Sequence, residues 1–198
     1  MFYSPFVVTN RAFFCPILSQ KGFFIMKLTL KKLCVLSLFT AITVILSVYC
    51  TLRIGNAIKI PFKFISVFLT ASIFGPVLGG TVAAIGDILN VFFAPSGAFI
   101  PAITLVEFFY GFIFGIFFYN RSFKGKGYFL RTFLCTIILL LTDLFITSFI
   151  LTKVGYFPSF SASFTLRLPA GIIKAVIYAI FIIISSKYIE KFKVLSER

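Results

Sequence analysis

The amino-acid sequence predicts an all-α integral membrane protein, a compact bundle of six transmembrane helices with the N- and C-termini cytoplasmic. Three observations carry that expectation. The 198 residues are 60% hydrophobic and only 12% charged, with a mean hydropathy of +1.10, so the chain cannot build the polar surface of a water-soluble domain. Apolar runs recur along it, several of them close to the roughly 20 residues that cross a bilayer, divided by short polar or Gly- and Pro-bearing stretches. The surplus of 19 Lys and Arg over five Asp and Glu falls in clusters between those runs. Such clusters specify membrane topology, and this placement argues against a nucleic-acid partner.

Residues 1–25 match none of this pattern, since they contain Pro5 and Pro16 and no run of span length. They read as a non-native or disordered extension. The run MKLTLKK from Met26 resembles a bacterial membrane-protein start, with Lys27, Lys31 and Lys32 holding the N-terminus in the cytoplasm. Lys21-Gly22, encoded by a purine run like a ribosome-binding site, precedes Met26 by three codons. The six-helix transmembrane domain is therefore expected over residues 26–198.

The first span covers about 28–50, and its pair Ser37-x-x-x-Ala41 lets another helix approach closely. The stretch TLRIGNAIKIPFKF is too polar to span. Gly75-Pro76 then separates a second span at about 64–74 from a third at about 77–93. In the third, Gly79, Ala83, Gly86, Asp87, Asn90 and Ala94 form one small and polar stripe, which should face other helices. The breaker Ala94-Pro95-Ser96-Gly97 leads to a fourth span at about 98–119. A fifth, about 128–151, follows a loop carrying Arg121, Lys124, Lys126 and Arg131, which reads as cytoplasmic. A polar stretch then leads to the sixth, about 168–188, and a basic tail.

Alternation from a cytoplasmic N-terminus gathers eleven cations inside and leaves five outside: Arg53, Lys59, Lys63, Lys153 and Arg167. Either short loops tolerate them, or they form an electropositive mouth that collects an anionic solute.

Asp87, Glu107, Asp143 and Lys174 fall within the spans. At about 1.5 Å per residue they share one layer in the outer half of the bilayer, about 12 Å below the ends of the helices. Ionisable groups there are costly and usually face a cavity, so this layer is a candidate cavity floor. Lys174 alone cannot neutralise three acids, and the excess implies a donor-rich ligand or an acid kept neutral. No catalytic or metal-binding grouping emerges: the chain has no His, no GxxxxGK[ST] and no paired Cys spacing. Cys15, Cys34, Cys50 and Cys135 read as buried free thiols, and neither cofactor nor enzymatic activity is expected.

The run IPFKFISVFLTASIFGPVLGGTVAAIGDILNVFFAPSGAFIPAITLVEFFYGFIFG, with its FGP, GGxxxxxGD and Pro-x-Gly-x-Phe elements, resembles the core pattern of the substrate-binding S components of energy-coupling-factor (ECF) vitamin transporters, most closely the folate group. The resemblance covers nearly everything after Met26. It implies six helices, a pocket opening outward beneath the loop between the first two, and a multi-pass protein of the bacterial cytoplasmic membrane. It also implies a transmembrane coupling subunit and two ABC ATPases as partners, which hydrolyse ATP on its behalf. The family's AxxxA contact motif corresponds to Ser37 and Ala41, with serine replacing the first alanine, and its basic residue opening the last helix corresponds to Arg167. For a folate ligand, Asp87 or Glu107 would accept hydrogen bonds from the pteridine head at the floor, with Asn90, Asp143 and Lys174 nearby. Arg167 and one of Arg53 or Lys59 would hold the glutamate tail at the mouth. An S component for another vitamin or precursor (a queuosine precursor, pantothenate, thiamine) and a non-transporting envelope scaffold are the alternatives.

Overall fold

The computed structural model describes residues 30–54, 58–94, 99–121 and 126–196, those at 52–54, 58–60, 126 and 186–196 by their backbone alone. The proposed extension at 1–25 lies outside the described residues. The chain divides into two units, Met1–Cys34 and Val35–Arg198, and of the first only the opening of a helix is described.

Helices dominate: α1 (Leu30–Val48), α2 (Phe64–Phe74), α3 (Pro76–Phe93), α4 (Pro101–Phe118), α5 (Lys126–Thr142), α6 (Ser148–Lys153) and α7 (Phe160–Ser196). One π-helical segment, Asp143–Thr147, joins α5 to α6, so these three form a single span over Gly127–Lys153. Counted in this way the described residues hold six helices. Five are long and apolar enough to cross a membrane, and α2 is shorter. Large side chains such as Ile85, Phe92, Phe93, Phe145 and Phe149 are exposed on these helices, the arrangement expected of a surface that meets lipid.

The 11 residues of α2 are apolar on nearly every side and buried on nearly every side, with Phe64, Val67, Phe68, Ala71 and Phe74 in the interior. The fully buried Phe68 meets Phe114 and Phe118 of α4 edge to face at centroid separations of 5.5 and 5.2 Å. Gly75, at φ 100°, occupies the left-handed region that glycine adopts freely, and Pro76 starts α3 where its missing N–H costs nothing. The predicted stripe on α3 does face its neighbours: Gly79, Ala83 and Gly86 are buried. Gly111 and Gly115 of α4 lie so close to Gly79, Gly80 and Pro76 that a Cβ at either would collide with α3 backbone. This contact holds together the helices that carry Asp87 and Glu107.

The interior contacts of α1 include an apolar one, Leu36 and Phe39 beside Phe74 and Val82, and a polar one. In the polar contact Thr43 Oγ1 lies 2.9 Å from Ser66 Oγ of α2. Gly86 leaves room for the Thr43 methyl. Ser37 and Ala41 are exposed, one helical turn apart.

Four sequence-based expectations change. The stretch after α1 contains an antiparallel hairpin, β1 (Thr51–Ile54) and β2 (Ile58–Pro61), whose β-branched residues favour extended backbone. The last helix begins at Phe160, not near 168, because hydroxyl groups counted as loop-forming are satisfied locally: Ser159 Oγ accepts from Ala162 N–H, and Thr165 Oγ1 donates to Ser161 O at 2.9 Å. The regular α-helix expected through the fifth span contains the π segment. Cys34 and Cys50 are exposed, and only Cys135 of the described cysteines is buried.

Candidate ligand-binding cavity

A cavity of about 680 Å³ opens among the helices of the second unit. Its charged walls come from five places. Lys63 sits between β2 and α2, Asp87 on α3, Glu107 on α4, Asp143 at the start of the π segment, and Arg167 and Lys174 on α7. Apolar and aromatic side chains, among them Phe64, Val67, Phe114, Phe157 and Tyr178, complete the lining. A mostly apolar wall carrying a few fixed polar groups is the usual construction of a small-molecule site.

Each wall follows from local structure. On α7, Arg167, Ala170, Lys174 and Tyr178 recur at intervals of three and four residues and all line the cavity. On α4, Glu107, Tyr110 and Phe114 do the same one turn apart. The π segment begins at Asp143, and the extra residue per turn re-aims side chains, which is why such segments often occur at functional sites.

The charges form two clusters. In the first, Lys63 Nζ lies 3.1 Å from Asp87 Oδ1 and 2.9 Å from Glu107 Oε1, while Thr104 donates to Asp87 Oδ2 at 3.0 Å. In the second, Asp143 accepts from Arg167 at 2.8 Å, from Lys174 at 3.2 Å and from the Tyr110 hydroxyl at 3.2 Å. Charge-assisted hydrogen bonds of this kind can hold ionised groups away from bulk water. Three buried polar atoms on the lining residues have no hydrogen-bond partner among the described residues: Asn90 Oδ1, an acceptor, Thr147 Oγ1, a hydroxyl, and Arg167 Nε, a donor. Buried polar atoms are nearly always satisfied, so such orphans mark positions where a ligand or water belongs.

Six of the eight residues named from the sequence as ligand-binding therefore line one cavity: Asp87, Asn90, Glu107, Asp143, Arg167 and Lys174. Arg53 and Lys59 face each other in the register of the hairpin, and their side chains lie outside the described residues. The separation into an acidic floor and a cationic mouth does not hold for Arg167. Because α7 starts early, Arg167 lies two turns inside the helix and shares Asp143 with Lys174.

The sequence reading missed Lys63, which it counted among exterior loop cations. Lys63 is only 6% exposed. The available signal was its place immediately before a helix with no polar face: a side chain there has only the bundle interior to enter. With Lys63 and Arg167 present, three cations meet three carboxylates, and the predicted excess of acid disappears.

Comparison with known proteins agrees with this architecture. Residues 27–191 match the model of the family described as ECF-type riboflavin transporter, S component. A curated relative from Clostridium novyi (strain NT), a folate transporter named FolT, is 39% identical over 85 residues, 43% of this chain and 49% of that protein. The match spans about half the length of that relative. Among solved structures, a crystal structure of FolT bound with folic acid superimposes with a TM-score of 0.66 at 27% identity, over 81% of this chain and 92% of that one. The S component of a bacterial ECF transporter gives 0.61 at 21% identity, over 82% and 96%, and supports the fold alone.

Proposed function

From the premise that the chain belongs to the ECF-type riboflavin transporter S-component family, we propose that it is the substrate-capture subunit of a vitamin importer and that its vitamin is a folate. It takes the vitamin from outside the bacterial cytoplasmic membrane and delivers it through a transmembrane coupling subunit driven by two ABC ATPases. Capture itself requires no bond to be made or broken. The family match over 27–191 supports residues 26–198 as the transport domain.

The observation that carries the reading is the charged cavity. Its 680 Å³ is within the range that encloses a drug-sized molecule, and it combines two ion clusters with the unpaired polar atoms of Asn90, Thr147 and Arg167. Riboflavin, which the family description names, is uncharged, whereas folate carries carboxylates as well as a donor-rich pteridine. A lining in which Arg167 and Lys174 share one carboxylate while Asp87 and Glu107 share one cation suits a ligand that carries both carboxylates and N–H donors. The folate transporter among the relatives and the folic-acid complex among the structural matches support the same choice. Glu107 and Asn90 then serve the pteridine, and Asp87, whose two oxygens are held by Lys63 and Thr104, serves it through Lys63. Arg167 and Lys174 supply cationic contacts deeper in the cavity, and Arg53 or Lys59 on the hairpin holds the glutamate tail. Ser37 and Ala41, exposed on α1, form the docking face for the coupling subunit.

The test is equilibrium binding to the purified protein of folic acid, riboflavin, thiamine, pantothenate and a queuosine precursor. Folic acid should bind most tightly, and tighter binding of any other compound overturns the assignment.

A further inference from the structure

The start of the span Gly127–Lys153 carries a cation that the central cavity does not use. Between Glu107 and Asp143 the sequence has Arg121, Lys124, Lys126 and Arg131 and no carboxylate. The acids whose side chains are described, Asp87, Glu107 and Asp143, all line the cavity. Arg131 has no hydrogen-bond or ion-pair partner among the described residues, and the charge that acts on it is a like one, the Arg121 guanidinium.

The fold holds this end in place. The Phe118 ring of α4 packs against the Tyr128 ring of α5 at a centroid separation of 6.1 Å, and the Tyr128 hydroxyl donates to the Ile182 carbonyl of α7. Arg131, one turn beyond Tyr128, is half-buried, with Leu130 and Leu134 exposed on either side of it. At about 1.5 Å per residue the 27 residues of the span measure about 40 Å, against a hydrocarbon core of about 30 Å. About 5 Å therefore projects at each end. Arg131 lies about 6 Å along the axis from Gly127, at the boundary between hydrocarbon and headgroups, where a long basic side chain reaches the phosphate level. From it Leu134, Ile138 and Leu141 follow at helical spacing as one exposed apolar ridge. The ridge is about 15 Å long, half the thickness of the core and so the reach of one acyl chain.

We propose that Arg131 and this ridge seat one anionic phospholipid, its phosphate on the guanidinium and an acyl chain along Leu134, Ile138 and Leu141. The guanidinium offers parallel N–H donors that match two phosphate oxygens, and Arg121 adds positive potential beside them. A zwitterionic headgroup brings its own cation into that potential and is held less well. A soluble phosphate ester meets the same guanidinium but leaves the ridge uncovered.

The experiment equilibrates the purified full chain in nanodiscs with equal amounts of dioleoyl phosphatidylglycerol and dioleoyl phosphatidylcholine. Native mass spectrometry then counts the lipids retained after release into detergent. The unsubstituted protein should retain phosphatidylglycerol over phosphatidylcholine by about tenfold. Arg131→Gln should reduce the ratio to about twofold or less. Arg131→Lys should keep it near about fivefold, because the charge stays and the fork is lost. Lys153→Gln, at the opposite end of the same span, should leave it unchanged. Salt at about 1 M should bring the unsubstituted ratio down to about twofold, a measurement that needs no variant to fold. Both lipids are counted on one preparation, so partial misfolding does not create a preference. Glycerol 1-phosphate at millimolar concentration should displace none of the bound lipid. Equal retention of the two lipids, a ratio unchanged in Arg131→Gln, or displacement by glycerol 1-phosphate overturns the proposal. So does an Arg131→Gln variant that keeps the ratio and loses co-purification with the coupling subunit, which assigns the cation to a protein partner.

Discussion

Asp143 is the residue with the most to lose. Its carboxylate accepts from Arg167, Lys174 and Tyr110, and its side chain is only 14% exposed. Removing one member of a buried ion cluster strands the others, at a cost of about 3 kcal/mol where some contact with the cavity remains. Asp143→Asn should therefore lower the thermal unfolding midpoint in detergent by several degrees. Adding Arg167→Gln to it should cost less than the sum of the single changes, since the two share one interaction. Strictly additive unfolding energies would show that the pair does not act as a unit. Glu107 and Asp87 differ although both face Lys63. Asp87 is fully engaged by protein, so Asp87→Asn should reach ligand binding only through Lys63 and weaken folic acid less than Glu107→Gln does in the same binding assay.

At the level of elements, α3 and α4 meet backbone to backbone, and α1 turns two small residues outward. In a membrane, close packing must supply what the hydrophobic effect supplies in water, so the α3–α4 contact is sensitive to volume. Gly115→Val would drive two methyl groups into Pro76 and separate the helices carrying Asp87 and Glu107. The expected result is a loss of about 1–3 kcal/mol of stability together with weakened folic acid binding, read by thermal unfolding and by dissociation constants on the same sample. Ala41→Leu should do the reverse. Ala41 is exposed on α1, so folic acid affinity should stay within about twofold while co-purification with the coupling subunit is lost. Normal assembly of that variant would move the docking face elsewhere.

For the whole molecule, the orientation in the bilayer and the effect of the ligand are the testable quantities. If all six helices cross, both termini lie on one face, and the clusters of Lys and Arg assign that face to the cytoplasm. Fluorescent-protein fusions at either terminus should then be protected from protease added to intact cells, and degradation of one of them would mean that the short α2 does not complete a crossing. Folic acid binds only the folded chain in this account, so at 100 times its dissociation constant it should stabilise the protein by about 2.7 kcal/mol and raise the unfolding midpoint measurably.

The sequence by itself determined the membrane class, the helices with their Gly-Pro breaks, the inward stripe on α3, and the conclusion that Asp87, Glu107, Asp143 and Lys174 had to be sheltered. These follow from local composition and from the price of placing a charge in hydrocarbon, which every residue in a span meets whatever its neighbours. Tertiary structure decided the pairing. Lys63 and Arg167 lay in stretches that hydropathy reads as loops, and nothing local says that α2 would be enclosed by other helices or that α7 would begin eight residues early. Burial of α2 leaves Lys63 only the interior to enter, and the early start of α7 puts Arg167 on the same face as Lys174. An acid-rich floor in the sequence thereby becomes two oppositely charged clusters in the fold, because net charge is a sum over neighbours and only the packed helices fix which neighbours those are.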